Sequence, residues 1–189
     1  MGIDPINVGC HINIALQELI AREVKGLEPA VLSICSFNAG NATNIIPDTA
    51  ELKGTLRAFS PETHKLLTER LKEVAECTAL TFRAKAEVEI LSETPSLCNN
   101  NEMIDMFTDM IKDVDDSIRF AGRQSMGCED FAEIAERVPA AYVFLGAAAE
   151  DEAARYPLHN SRIVFDEKAM ALGAASHAAF AVKWLKENR

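Results

Sequence analysis

Several things are scarce in this sequence, and each scarcity closes a line of explanation. Basic residues are outnumbered, 19 Lys and Arg against 29 Asp and Glu, for a formal charge of −10. Phosphate backbones and anionic membranes are bound by clustered Lys and Arg, so nucleic acid and membrane are excluded as partners. Long apolar runs are missing. None approaches the ~20 residues of a membrane span, and the longest small-apolar stretch, within 169–182, is broken by Gly173, Ser176 and His177. Residues 1–9 are polar and carry Asp4 and Pro5, so they do not read as a secretory h-region. The five cysteines (Cys10, Cys35, Cys77, Cys98 and Cys128) are odd in number and form no CxxC pair. They read as reduced thiols of a cytosolic protein, most of them small core residues. No HExxH, HxD, i, i+4 histidine pair, P-loop or GxSxG elbow occurs.

What is present is an ordinary globular composition, 48% apolar and 25% charged over 189 residues, enough for one large domain or two small ones. Asp4 and Pro5 open a helical apolar pattern over 5–24, with Gly26 as its stop. Residues 30–37 are rich in β-branched side chains and read as a strand. A second strand, 49–59, places Ala50, Leu52, Gly54, Leu56 and Ala58 on one face and Glu51, Lys53, Thr55 and Arg57 on the other. Pro61 starts a helix to about residue 80, with Leu66, Leu67, Leu71, Val74 and Leu80 turned inward. A third strand is expected over 85–92. The order helix–strand–strand–helix–strand is a split β-α-β unit that begins one element late, and Met1 looks like an added start, so the chain reads as truncated. Beyond Pro95 the pattern suggests part of an α/β domain. Helices are expected at 100–113, 129–137 and 166–187, the last capped by Asp166. A short strand is expected at 117–120, a loop at Gly122–Gly127 that includes Arg123, and a buried strand at 142–145 ended by Gly146.

Of the four histidines, His11 reads as a helical surface or partly buried residue, His177 as a packing residue and His64 as a surface one. His159 differs, because it lies in a long loop after a strand, where α/β sites are built.

Four segments carry a resemblance. They are Gly2-Ile3-Asp4-Pro5-Ile6, then Asn41 to Asp48 followed by Glu51 to Arg57, then Ser125-Met126-Gly127-Cys128-Glu129-Asp130-Phe131-Ala132, and last Tyr156-Pro157-Leu158-His159-Asn160 with Phe165-Asp166-Glu167. In this order they resemble the peptidase M20 family, and within it the amidohydrolases that include hippurate hydrolases and IAA-amino acid hydrolases. Cys128 stands where the family pattern has glycine, which is expected to crowd the loop, and Ser161 where it has proline.

The resemblance implies an α/β fold class of two domains. Residues 1–93 correspond to a ferredoxin-like lid and dimerisation domain lacking its first strand. Residues 94–189 correspond to the C-terminal segment of a Zn-peptidase-like catalytic domain. The implied activity is hydrolysis of N-acyl amino acids or small peptides by metal-activated water, in a cytoplasmic homodimer carrying two divalent ions, zinc or manganese. Only one ligand of the family pattern maps here, His159, so this chain by itself is expected to be inactive and to hold no metal. Asn44 and Arg57 map to substrate-binding positions, where a guanidinium fork suits a carboxylate. Glu129 maps near the site, with a helix-start capping role as its alternative, and Gly127 to a close backbone approach. For Arg57 the alternative is a surface residue paired with an acid, and for Asn44 a left-handed turn residue. A stand-alone dimerisation or ligand-binding module and an inactive paralogue are the competing whole-chain readings.

Overall fold

The structure, a computed structural model, describes residues 2–120, 122 and 124–188; Met1 and Arg123, named above, lie outside the described residues. The chain is mixed α/β and divides into two compact units, Met1–Ser96 with Ser125–Glu129, and Leu97–Gln124 with Asp130–Arg189.

In the first unit, helix α1 (Pro5–Glu18) begins where expected, because Asp4 Oδ1 accepts the Ile6 and Asn7 N–H groups and Pro5 sits in the first turn. It runs into one wider turn, Leu19–Glu23. Strands β1 (Ala30–Ala39) and β2 (Ala50–Ala58) pair antiparallel, from Ala30 opposite Ala58 to Ala39 opposite Ala50. The register slips between Ile34 and Ser36, leaving Cys35 as the extra residue of a bulge. Helix α2 (Pro61–Thr81) is capped by Ser60 Oγ, which accepts the Thr63 N–H at 3.2 Å.

The core of this unit is Leu16, Leu19 and Leu67, with Ile12, Leu32, Ile34, Leu56, Leu71 and Val74 packed around them. Burying each such leucine contributes about 1.5–3 kcal/mol, so helix–sheet packing is the main stabilising term here. Two glycines make the packing possible. A Cβ on Gly9 would stand 2.7 Å from Phe37 Cζ, so with one the Phe37 ring would have to shift for α1 to lie this close to the sheet. A Cβ on Gly54 would stand 2.3 Å from the Ser33 carbonyl oxygen. One ion pair joins the elements: Arg70 on α2 donates Nε and Nη2 to Glu23 Oε2 and Oε1, both at 2.7 Å, and Nη1 to Glu73. The Arg70 hydrogen bonds hold the Glu23 carboxyl below its ordinary pKa.

In the second unit, α3 (Asn101–Val114) and α5 (Lys168–Glu187) pack together, with Phe107 5.9 Å from Phe180 between ring centroids. Between them come a single short turn, α4 (Ala132–Ala135), and a 3-10 turn, Glu152–Ala154. Asp166 Oδ1 accepts the Lys168 N–H at 3.0 Å at the start of α5. Among the described residues no helix is long and apolar enough to cross a membrane.

Several expectations fail, each for a physical reason. Residues 85–92 keep the alternation of a half-buried extended segment, with Ala84, Ala86 and Val88 half-buried and Lys85, Glu87 and Glu89 exposed. Among the described residues they pair with no strand, and alternation alone does not supply the neighbour that a ladder requires. The same holds for 117–120 and 142–145. Val143, Phe144 and Leu145 are exposed, Phe144 at 72%, instead of forming a buried strand. Their segment is anchored by one side chain, since Asn99 accepts the Tyr142 N–H at 2.6 Å and donates to the Tyr142 carbonyl at 2.9 Å. The 129–137 helix shrinks to one turn. Leu66 and Leu80 point outward on α2, while Thr63, Ala75 and Ala79 are buried in their place. All five cysteines are free and exposed, so none is a core residue. His177 is exposed as well, and so is His11, although its ring lies 4.6 Å from that of Phe82.

Candidate functional site

Arg57 sits near the end of β2, opposite Val31, on the polar face of the two-stranded sheet. The strand's period-2 alternation puts it there: Leu56 and Ala58 turn toward the helices, so Arg57 turns away. Its Nη1 donates to the backbone carbonyl of Met126. The loop Ser125–Glu129 therefore lies against this strand within the first unit. No ion pair involving Arg57 occurs among the described residues. Within the loop, Ser125 Oγ accepts the Gly127 N–H at 3.2 Å. The nearest atom to a Cβ at Gly127 would be that same Oγ, at 3.3 Å. Glu129 is half-buried at the loop's end, ahead of α4.

Asn44 lies in the turn between β1 and β2 and is exposed. Its backbone is not left-handed, since among the described residues positive φ occurs only at Arg83, His159 and Gly40. Its side-chain amide makes no hydrogen bond among the described residues, so it is free to donate.

His159 belongs to the second unit. It is exposed, at φ 69°. It occupies the third position of a turn closed by the Asn160 N–H on the Pro157 carbonyl at 3.3 Å. Left-handed backbone costs a non-glycine residue on the order of 1 kcal/mol, and the flanking contacts hold it there. Asn160 Oδ1 accepts the Arg162 N–H at 2.9 Å, and the Arg162 guanidinium stacks 4.4 Å above the Tyr156 ring. This clamp escaped the sequence reading, because nothing in the spacing of Tyr156 and Arg162 signals that the loop folds back. The Met126 carbonyl escaped it too, being a backbone group.

A zinc or similar ion takes about three or four protein ligands. Among the described residues no three His, Cys, Asp or Glu side chains gather to hold one. One exposed imidazole does not by itself fit a metal centre.

Comparison with known proteins follows the same lines. The model of peptidase family M20/M25/M40 matches residues 4–183. A hippurate hydrolase of Campylobacter jejuni is 36% identical over 185 residues, which is 97% of this chain and 47% of that protein. An IAA-amino acid hydrolase of Arabidopsis thaliana is 35% identical over 98% of this chain and 43% of its own length. Among solved structures, a dinuclear metal-binding peptidase of Bacillus subtilis superposes with a TM-score of 0.79 at 29% identity, covering 97% of this chain and 47% of that one. The chain spans about half the length of the curated relatives it matches.

Proposed function

The chain belongs to peptidase family M20/M25/M40, and we propose that it forms the lid and the closing catalytic segment of a metal-dependent amidohydrolase of N-acyl amino acids. In this reading residues 1–93 are a ferredoxin-like lid and 94–189 the C-terminal part of the catalytic domain. The strand that 85–92 lacks, and the sheet that would cover Val143, Phe144 and Leu145, come from the part of the enzyme that this chain does not match. The protein is cytoplasmic, in keeping with five free cysteines, and it dimerises through the lid.

The observation that carries the reading is the seat of Arg57. A guanidinium with no acidic partner among the described residues, anchored on the Ser125–Glu129 loop, is suited to the carboxylate of an N-acyl amino acid. Asn44 lies in the turn at the opposite end of the β1–β2 pair from Arg57, on the order of 20 Å away along the strand, so in this reading it donates to the substrate held by the second copy of the dimer. Glu129 lines the site from the loop.

His159 is a ligand of one of two divalent ions, zinc or manganese. The remaining ligands are supplied by the half of the family's length that this chain does not match, since among the described residues no three donors gather. His159 is exposed at a left-handed turn, beside the Tyr156–Arg162 clamp.

The test is an assay of the polypeptide encoded by the gene, supplied with Zn or Mn, against hippurate, N-acetyl amino acids and dipeptides. Hydrolysis that is lost on chelation, and lost with metal content in His159→Ala, is the expected result. Failure to cleave any of these amides while fully metal-loaded refutes the proposal.

A further inference from the structure

Arg57 and Arg70 are held in opposite ways. Arg70 lies between two carboxylates, Glu23 and Glu73, which occupy its fork and balance its charge. Arg57 has a neutral partner, the Met126 carbonyl. A neutral acceptor steadies the guanidinium and leaves its positive charge intact. The Nε and Nη2 edge carries no hydrogen bond among the described residues, so it stays open for two parallel bonds to a carboxylate.

The direction of that carbonyl is set from its other side. The Met126 carbonyl and the Gly127 N–H belong to one trans peptide plane and point in opposite directions. Ser125 Oγ accepts the Gly127 N–H at 3.2 Å. Holding the N–H aims the carbonyl at Arg57, and each hydrogen bond of the peptide polarises the other.

We propose that Ser125 is a positioning residue for substrate binding. Its hydroxyl orients the 126–127 peptide, and that peptide orients Arg57 toward the substrate carboxylate. The inference rests on the role given to Arg57 above.

The experiment uses the polypeptide encoded by the gene, with hippurate as the carboxylate-bearing probe and N-benzoylglycinamide as its carboxylate-free counterpart. Ser125→Ala is expected to raise KM for hippurate about threefold to tenfold with kcat little changed, the size of one lost hydrogen bond. KM for the glycinamide should not move. Ser125→Thr, which keeps the hydroxyl, should restore the parent value. In an Arg57→Lys background, Ser125→Ala should add nothing, because the two act in series. Gly127→Ala, which crowds Oγ from the opposite side, is the second variant, and it should shift hippurate KM in the same direction. Equal effects on the two probes, or independent effects of Ser125→Ala and Arg57→Lys, overturn the proposal. If Arg57→Lys itself fails to separate hippurate from the glycinamide, the reading of Arg57 falls and this inference with it. If Arg57→Lys separates them and Ser125→Ala does not, only the positioning role is wrong.

Discussion

Leu67 offers the sharpest test of the packing argument. It lies on α2 against Leu16 and Leu19 and has no exposed surface. Leu67→Ala deletes three carbons, worth about 0.8 kcal/mol each in transfer terms. The cavity left between α1, α2 and the sheet adds to this, giving a total of about 3–4 kcal/mol. The control is Leu80 on the same helix, one of the residues that helical spacing assigns to the core. It is 71% exposed, so Leu80→Ala should change stability by no more than about 0.5 kcal/mol. Urea unfolding of the chain followed by far-UV circular dichroism reads both. With a slope of about 1–2 kcal/mol per molar urea for a domain of this size, the Leu67→Ala midpoint should fall by about 2 M. The sole tryptophan, Trp184, lies in the second unit, so its fluorescence is the wrong probe. Equal losses at the two positions, or a loss below about 1 kcal/mol for Leu67→Ala, would refute the assignment of this core.

Gly54→Ala should destabilise the β1–β2 pair by about 2 kcal/mol or more, because its Cβ meets the Ser33 carbonyl oxygen, a backbone atom that cannot step aside; thermal melting checks it. Glu23 contributes stability through its lowered pKa, present above its ordinary value of 4.5 and lost as pH falls through the lowered one. The acid limb of a melting-temperature profile should therefore be flatter in Glu23→Gln, and an unchanged acid limb counts against the Arg70 pairing. Arg57→Lys replaces a fork with a point charge and should raise hippurate KM about tenfold with kcat nearly unchanged. Isothermal titration of this chain with Zn should find no tight stoichiometric site, and one that disappears in His159→Ala would contradict the donor count.

The early part of the fold was legible because its signals are local. Asp4 with Pro5 and Ser60 with Pro61 place helix starts within one turn of the chain, and the alternation over Ala50–Ala58 places a strand and orients Arg57. The later part was less so. Segments such as 142–145 are apolar enough for a buried strand, yet a strand is a relation between two segments, and the partner of these is not written in their own residues. Leu66 and Leu80 fit a helical stripe by spacing, but the face α2 buries is chosen by α1 and the sheet, which favour Thr63, Ala75 and Ala79. The cysteines were misplaced for the same reason, since small apolar character permits burial without requiring it.

By itself, then, the sequence determined, through four ordered motifs, the family to which the chain belongs, and within it offers Asn44, Arg57, Glu129 and His159 as candidate site residues. Tertiary structure alone decided how they are held. That Arg57 rests on the Met126 carbonyl depends on a residue far along the chain and on a backbone atom common to every residue. Hydrogen bonds of that kind arise from where the chain returns in space, which no local pattern encodes.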